Sequence, residues 1–167
     1  MAYLSDYARR KKLAFFIDPI PKNANVLEVG CGGNWVRDYM QINGWTGYTG
    51  IDLFGKPDIL GDLKDWRKLG LQAASYDVLI AFEVVEHDDL WQAMFDLLIP
   101  GGKLMLTTPV PSRDWILQLL EKLKLNQTRT SPHSHMLDVR TIQLFDVMYY
   151  QQKAGLSQWA ILRKPLK

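Results

Sequence analysis

The chain has 167 residues, enough for one domain with a full hydrophobic core and too few for two. Its formal net charge of +2 does not indicate a nucleic-acid-binding protein, and its single cysteine excludes an internal disulfide. No apolar run approaches the roughly 20 residues of a membrane-spanning helix, and Met1–Asp6 lack a signal-peptide pattern. We therefore expect a cytoplasmic protein without a membrane partner, folded as a single domain over residues 1–167.

The first half of the chain predicts alternating helices and strands. Residues 4–16 have helical periodicity within an N-terminal segment, 1–21, and Pro19 and Pro21 end this helix. The basic run Arg9–Lys12 is interpreted as a solvated helix end, which the helix dipole favours, with a phosphate or nucleic-acid contact as the alternative. The next predicted elements are a strand at 25–30, a helix at 34–43, a strand at 47–52, a short strand at 58–60 and a small helix at 64–69.

The second half continues this alternation. Residues 76–82 are apolar almost throughout, as expected of a strand covered on both faces. Strands that alternate with helices indicate a doubly wound α/β fold, with a mostly parallel sheet and helices on both faces. The remaining predictions are a helix starting at Asp88-Asp89, a strand at 103–107, a helix at 112–124, a loop at 125–136, a helix at 139–153 and a strand at 157–163.

A glycine turn follows the first strand. Residues 26–34 read Val-Leu-Glu-Val-Gly-Cys-Gly-Gly-Asn, and Asp52 ends the second strand 22 residues after Gly30. Glycines let the backbone approach a ligand, and an acid at the end of the second strand accepts hydrogen bonds from ribose hydroxyls. This spacing predicts a site for an adenosine ribose.

The residues of the turn narrow the choice of cofactor. A dinucleotide site needs Gly-x-Gly-x-x-Gly, but Trp35 stands at the third glycine position, where an indole would crowd a pyrophosphate. No Gly-Lys-Ser/Thr follows, so the turn is not a mononucleotide P-loop. A cofactor with a ribose and no phosphate chain remains, and S-adenosylmethionine has that chemistry.

On these residues the chain resembles the class I S-adenosylmethionine-dependent methyltransferases, whose first motif reads acid-x-Gly-x-Gly-x-Gly. Residues 28–34 depart from it only at Asn34, which replaces the last glycine and tolerates a left-handed backbone. The resemblance continues at 61–63, 76–87 and 98–104. It implies a Rossmann-like fold with S-adenosylmethionine as cofactor. The cofactor-binding residues that it implies are Glu28, Gly30, Cys31, Gly32, Asp52, Leu53, Asp62, Leu63, Phe82 and Glu83.

The C-terminal part departs from this family in our prediction. Members of the family usually end in two strands that form an edge hairpin, whereas we predict only the strand at 157–163. The sheet should therefore be shortened at its C-terminal edge, and an uncovered edge strand would favour a homodimer. Segment 110–137 stands where related enzymes build a lid over the substrate.

In this fold the ends of the strands at 76–82 and 103–107 face the reacting methyl group. The residues at these ends are Phe82, Glu83, Glu86, His87 and Thr107–Pro109. His87, together with Glu86, is our candidate base for the acceptor, because an unperturbed histidine pKa of about 6.5 suits proton transfer. The alternative is that His87 caps or orients the following helix.

A metal site is another alternative at this position. Glu83, Glu86 and His87, with His133 or His135, are similar to the ligands of small-RNA 2′-O-methyltransferases and of some quinone-biosynthesis O-methyltransferases. The pattern Glu-x-x-Glu-His is also frequent in methyltransferases without a metal, so our predicted site contains no metal ligand.

We predict an enzyme that transfers a methyl group from S-adenosylmethionine to an oxygen or nitrogen atom of a small molecule. Two alternatives stay open. One is RNA-directed, metal-assisted O-methylation, which the near-neutral charge disfavours. The other is a non-catalytic S-adenosylmethionine-binding module that regulates a partner.

Overall fold

The computed structural model describes residues 3–111 and 137–166. The strands are β1 (Asn25–Val29), β2 (Gly47–Asp52), β3 (Ile59–Leu60), β4 (Tyr76–Phe82), β5 (Leu98–Pro109), β6 (Asp146–Lys153) and β7 (Ser157–Arg163). They form one sheet in the order β3-β2-β1-β4-β5-β7-β6. The first five strands are parallel, and β7 runs antiparallel to both β5 and β6. The predicted, mostly parallel sheet is therefore confirmed.

Helices pack on both faces of the sheet, as predicted. The helices are α1 (Tyr3–Lys12), which continues as a π-helical turn (Leu13–Ile17), α2 (Trp35–Ile42) and α3 (Trp91–Leu97). The helices predicted at 4–16 and 34–43 are thus confirmed. The small helix predicted at 64–69 is instead a 3₁₀ turn at Leu63–Asp65, followed by hydrogen-bonded turns.

The sheet separates two hydrophobic cores, and β4 contributes to both. Val78 and Ile80 face the core that the π-helical turn and α2 complete, whereas Leu79 and Ala81 face the core that α3 completes. All four side chains are at least 95% buried. This double burial explains why the strand is apolar from Val78 to Phe82 rather than alternating.

The C-terminal region corrects the sequence prediction. The helix predicted at 139–153 is instead a 3₁₀ turn at Val139–Thr141 followed by β6. Asp138 does cap this turn, since its carboxylate accepts the Arg140 N–H at 3.0 Å, but the backbone of β6 then pairs with β7. The sheet therefore ends in an antiparallel hairpin and is not shortened at its C-terminal edge. Because β6 pairs with β7 and covers its edge, the uncovered edge strand on which we based the expected homodimer is not present.

Gln158 on β7 holds the chain on both sides of the predicted lid. Its Nε2 donates to the carbonyl oxygens of Pro109 and Leu137, each at 2.9 Å, and its Oε1 accepts the Val139 N–H at 3.1 Å. The helix predicted at 112–124 and the loop predicted at 125–136 lie outside the described residues. None of the helices in the described part of the chain is long and apolar enough to cross a membrane.

The order of the strands reverses between β1 and β4, which are neighbours although β2 and β3 come between them in the chain. In open α/β sheets, ligands bind beyond the carboxyl ends of the strands at such a switch point. The segments that follow β1, β2 and β4 end at this edge of the sheet, and they carry most of the predicted site residues.

Candidate active site

The glycine turn closes tightly over the end of β1. Gly30 and Gly32 adopt φ of +70° and +50°, and Asn34 adopts φ of 58°, so the predicted left-handed backbone at Asn34 is confirmed. The Gly30 N–H donates to the Ile51 carbonyl at 2.8 Å and thereby fastens the turn to β2. A Cβ atom on Gly30 would lie 2.4 Å from Cγ2 of Val84. Gly30 therefore allows β1, β2 and the segment after β4 to meet closely.

Asp52 joins the end of β2 to the glycine turn. Its Oδ2 accepts a hydrogen bond from the Gly32 N–H at 2.7 Å, and its Oδ1 accepts one from the Phe54 N–H at 3.0 Å. A Cβ atom on Gly33 would meet no other atom of the described residues within 4 Å, its chain neighbours aside, so space lies open beside the turn. Leu53 and Phe54 are exposed at the same place. A carboxylate beside an open glycine turn fits a ribose, and the exposed apolar side chains fit a flat base.

Asp62 and Leu63 follow β3, the next strand along this edge. The Gly61 N–H donates to the Asp52 carbonyl at 2.9 Å and brings this segment beside Asp52. The Asp62 Oδ1 accepts the Lys64 N–H at 2.9 Å and so caps the 3₁₀ turn, while Leu63 is buried. The structure thus brings Asp52 and Asp62 together at one edge of the sheet.

Glu28 is buried at the end of β1, where it accepts a hydrogen bond from the Tyr48 hydroxyl. Burial raises the pKa of Glu28 to about 8 and also raises the pKa of Tyr48. Cys31 is buried too, and burial raises the pKa of its thiol to about 11. The thiol is therefore protonated near neutral pH and packs as a small apolar group. Cofactor binding by Glu28 and Cys31 remains a prediction.

Glu83 follows β4 directly and accepts two hydrogen bonds. Its Oε1 receives the Thr107 hydroxyl at 2.7 Å and the Lys12 ammonium at 2.9 Å. The Lys12 side chain is only 13% exposed, whereas the Glu83 side chain is 41% exposed. The carboxylate therefore connects α1, β4 and β5 at the carboxyl end of the sheet and is still reachable from solvent.

Glu86 lies one turn further along and is buried, with Oε2 accepting the Thr108 hydroxyl at 2.9 Å. Burial, reinforced by the negative charge of Glu83, raises the pKa of Glu86 to about 8. His87 is partly buried, and its backbone N–H donates to the Val84 carbonyl at 3.0 Å. Both predicted catalytic residues therefore lie in the segment between β4 and α3.

No group of three or more His, Cys, Asp or Glu side chains within residues 3–111 and 137–166 is arranged to hold a metal ion. His133 and His135 lie outside the described residues. Glu83, Glu86 and His87 are therefore not arranged as three ligands of one metal ion in the described residues, and a contribution of His133 or His135 to a metal site remains a prediction.

Two aromatic rings and two cations line the edge between α1 and β4. Phe82 and Trp35 stack with ring centroids 5.9 Å apart at an interplanar angle of 20°. The Lys12 Nζ lies 5.2 Å from the Phe82 ring centroid, and the Arg9 Cζ lies 5.7 Å from that of Trp35. The interpretation of the whole basic run as a solvated helix end is therefore wrong for Lys12, whose side chain is mostly buried.

The sequence predicted Thr107 and Thr108 at the site but not the carboxylates to which they donate, and it did not predict that Lys12 and Tyr48 contact the site. The carboxylate partners of Lys12, Tyr48, Thr107 and Thr108 lie 71, 20, 24 and 22 residues away in the chain. A pattern within one segment cannot reveal such pairs. The parallel register that sets Phe82 opposite Thr107 brings the two threonines beside the carboxylates that follow β4.

The order of the sheet, its antiparallel β7 and the glycine turn at the switch point define the class of Rossmann-like methyltransferase domains. The family described as "Methyltransferase domain" matches residues 2–155, and the chain belongs to that family.

Individual relatives agree with this family. A ubiquinone biosynthesis O-methyltransferase of Dechloromonas aromatica (strain RCB) is 30% identical over 58% of this chain and 53% of that protein. The chain spans about half the length of the curated relatives that it matches.

Solved structures share the fold. A protein from Pyrococcus horikoshii OT3 superimposes with a TM-score of 0.67 and 15% identity, over 95% of this chain and 91% of that one. A SAM-dependent methyltransferase from Methanosarcina mazei superimposes with a TM-score of 0.63 and 16% identity, over 89% of this chain and 95% of that one.

Proposed function

We propose that this protein transfers a methyl group from S-adenosylmethionine to a hydroxyl oxygen of a small molecule. The observation that carries the proposal is the Asp52 carboxylate, hydrogen-bonded to the glycine turn beside open space at the switch point of the sheet. The family and the relatives named as O-methyltransferases support this reaction class.

The chain offers a separate group for each part of the cofactor. The Asp52 carboxylate accepts hydrogen bonds from the ribose, and Gly32 and Gly33 leave room for the backbone to approach it. Asp62 and Leu63 are placed for the adenine, on the neighbouring strand. Glu83, an anion at the end of β4, faces the positively charged end. When bound, S-adenosylmethionine supplies a methyl group that the positive charge on its sulfur activates.

Glu86 is the stronger candidate for removing the acceptor proton. Its pKa of about 8 keeps the carboxyl protonated at pH 7. Above pH 8 the carboxylate form predominates, and this form can accept a proton from the acceptor hydroxyl. Because Oε2 already accepts the Thr108 hydroxyl, the other oxygen, Oε1, is the atom that would take up the proton. His87 adjoins Glu86 in the chain and orients the segment through its backbone hydrogen bond to Val84.

The proposal extends to the domain organisation of the chain, its methyl acceptor and its location in the cell. The chain is a single methyltransferase domain in which segment 110–137 covers a small-molecule acceptor. The net charge of +2 supports a small acceptor over a nucleic acid. The reaction is proposed to take place in the cytoplasm, where a buried, unpaired Cys31 thiol stays reduced.

Calorimetric titration with S-adenosylmethionine and S-adenosylhomocysteine tests the proposal. We expect micromolar binding by the wild type and a loss of roughly tenfold or more in Asp52→Asn, because a hydrogen-bonded charge is removed. Asp38→Asn, on the exposed face of α2, is the matched control and should bind normally. Absence of binding by the wild type, or equal binding by Asp52→Asn, would overturn the proposal.

Two further experiments test the metal-assisted RNA methyltransferase and the non-catalytic regulatory module as alternatives. Titrations with EDTA and then with Mg²⁺, Mn²⁺ or Zn²⁺ test for a metal, and a metal-dependent signal would direct the search to RNA ends and catechols. Binding without turnover across a broad screen of hydroxyl acceptors would instead favour the regulatory module.

A further inference from the structure

Lys12 occupies a position that the proposed reaction does not explain. It is the last residue of α1, and its ammonium reaches the carboxyl end of β4, 2.9 Å from the Glu83 Oε1. The adjacent Lys11 is exposed and instead lies over the Tyr7 ring, at 5.5 Å from its centroid. Two neighbouring lysines therefore have different surroundings, and only Lys12 contacts the site.

The position of Lys12 is fixed by the segment that follows it. The π-helical turn Leu13–Ile17 buries Phe16 and Ile17 completely, and Phe16 packs on Phe82 with ring centroids 5.3 Å apart. These anchors hold the end of α1 against β4. With 13% of its side chain exposed, Lys12 is a largely desolvated cation whose charge acts at short range with little screening by water.

Resting on the proposed function, we infer that Lys12 shares the Glu83 carboxylate with the positive end of the cofactor and sets the discrimination between S-adenosylmethionine and S-adenosylhomocysteine. Glu83 is 41% exposed, so a second cation can approach it while Lys12 stays bound. Lys12 is a positioning residue in this inference, because it acts on the ligand through Glu83.

The difference in charge between the two ligands makes the inference specific. S-adenosylmethionine carries a positive sulfur that S-adenosylhomocysteine lacks, and the two molecules otherwise differ by one methyl group. A neighbouring ammonium therefore weakens binding of the methylated ligand selectively, and a neighbouring carboxylate strengthens it selectively. The opposite electrostatic effects of Lys12 and Glu83 on the positively charged sulfur therefore nearly cancel.

A purely structural role for Lys12 predicts a different result. If the ion pair with Glu83 only holds α1 in place, its loss makes the end of α1 less rigidly held against β4. Binding of both ligands then weakens by the same factor. The ratio of the two dissociation constants therefore separates charge discrimination from tethering.

The experiment measures dissociation constants of both ligands by calorimetry, at low and at high salt, for a set of matched variants. Lys12→Met should tighten S-adenosylmethionine relative to S-adenosylhomocysteine by about tenfold, and Glu83→Gln should shift the ratio by about as much in the opposite direction. The double variant lacks both charges and should return close to the wild-type ratio. Lys11→Met is the control and should leave the ratio unchanged.

Three outcomes would overturn the inference. They are equal weakening of both ligands in Lys12→Met, the same shift in Lys11→Met, and a double variant whose ratio follows one of the single variants. If Lys12→Met does not fold, comparison of the double variant with Glu83→Gln isolates the Lys12 charge, because the two differ only at residue 12. The double variant should then favour S-adenosylmethionine over S-adenosylhomocysteine about tenfold more than Glu83→Gln does, and equal ratios in the two variants would overturn the inference. If the wild type binds neither ligand, the proposed function fails and the inference fails with it.

Discussion

Gly30 and Gly33 belong to the same turn and have different surroundings. Gly30 combines a φ of +70° with Val84 so close that a Cβ atom would lie 2.4 Å from its methyl group. Gly33 has no positive φ, and a Cβ atom on it would extend into open space next to Asp52. The fold therefore requires glycine at position 30, whereas position 33 requires glycine only if a ligand fills the adjacent space.

This difference predicts opposite effects of one added methyl group. Gly33→Ala should change the free energy of unfolding by less than about 1 kcal/mol, because its backbone suits alanine, yet weaken S-adenosylmethionine by roughly tenfold or more. Gly30→Ala should cost about 1–3 kcal/mol of stability through strain and overlap. Urea denaturation and calorimetry on both variants check this, and full cofactor affinity in Gly33→Ala would show that the ligand lies elsewhere.

Individual residues of the site were predictable where one segment contained the signal. Asp52, Gly30 and the left-handed Asn34 followed from the spacing and conformational preferences of a single strand–turn–strand unit. Lys12 was misinterpreted because its partner, Glu83, is 71 residues away. Basic residues at the end of a helix are usually solvated, and nothing in the sequence showed that α1 ends against β4.

At the scale of whole elements, β6 is a described strand that the sequence predicted as a helix. Ile142, Phe145 and Tyr149 recur at spacings of three and four residues, which suit a helix, and Asp138 is a good helix cap. Asp138 begins only a single 3₁₀ turn, and pairing with β7 decides the rest. That pairing is antiparallel and joins Tyr150 to Ala160, a contact that local periodicity cannot reveal.

Gln158 stabilises this part of the fold through one amide group. Replacing it by leucine leaves the Pro109 and Leu137 carbonyls and the Val139 N–H without their partner in a buried place. Gln158→Leu should therefore lower the free energy of unfolding by about 3 kcal/mol.

The control for this prediction is Gln152, which pairs with Gln158 across the β6–β7 hairpin and is exposed. Gln152→Leu should change the stability by no more than about 0.5 kcal/mol. Equal unfolding midpoints in urea for the two variants would mean that the hydrogen bonds of the Gln158 side chain do not stabilise the native state.

For the whole molecule, the most consequential feature is a pair of buried carboxyl groups at the carboxyl end of the sheet. Glu28 and Glu86 are 2% and 1% exposed, and burial raises the pKa of each to about 8. Both are hydrogen-bonded by a hydroxyl, of Tyr48 and Thr108 respectively, rather than by a cation. The folded protein therefore holds two protons near neutral pH that the unfolded chain releases.

The stability of the protein should consequently fall as pH rises. Both carboxyls have an ordinary pKa of 4.5 and a folded pKa of about 8, so between these values the folded state binds more protons than the unfolded state. The free energy of unfolding then decreases with pH across that window, by on the order of 5 kcal/mol for each group, and levels off above pH 8. Urea denaturation at pH 5, 6, 7, 8 and 9 measures this slope.

Glutamine variants identify the groups responsible. Glu86→Gln should remove about half of the decrease, and Glu28→Gln with Glu86→Gln should remove most of it. A wild-type stability that rises or stays constant from pH 5 to pH 8, or a double variant with the wild-type slope, would contradict the prediction. Since the proposed base loses its proton in the same window, methyl transfer should accelerate over the range of pH in which the fold loses stability.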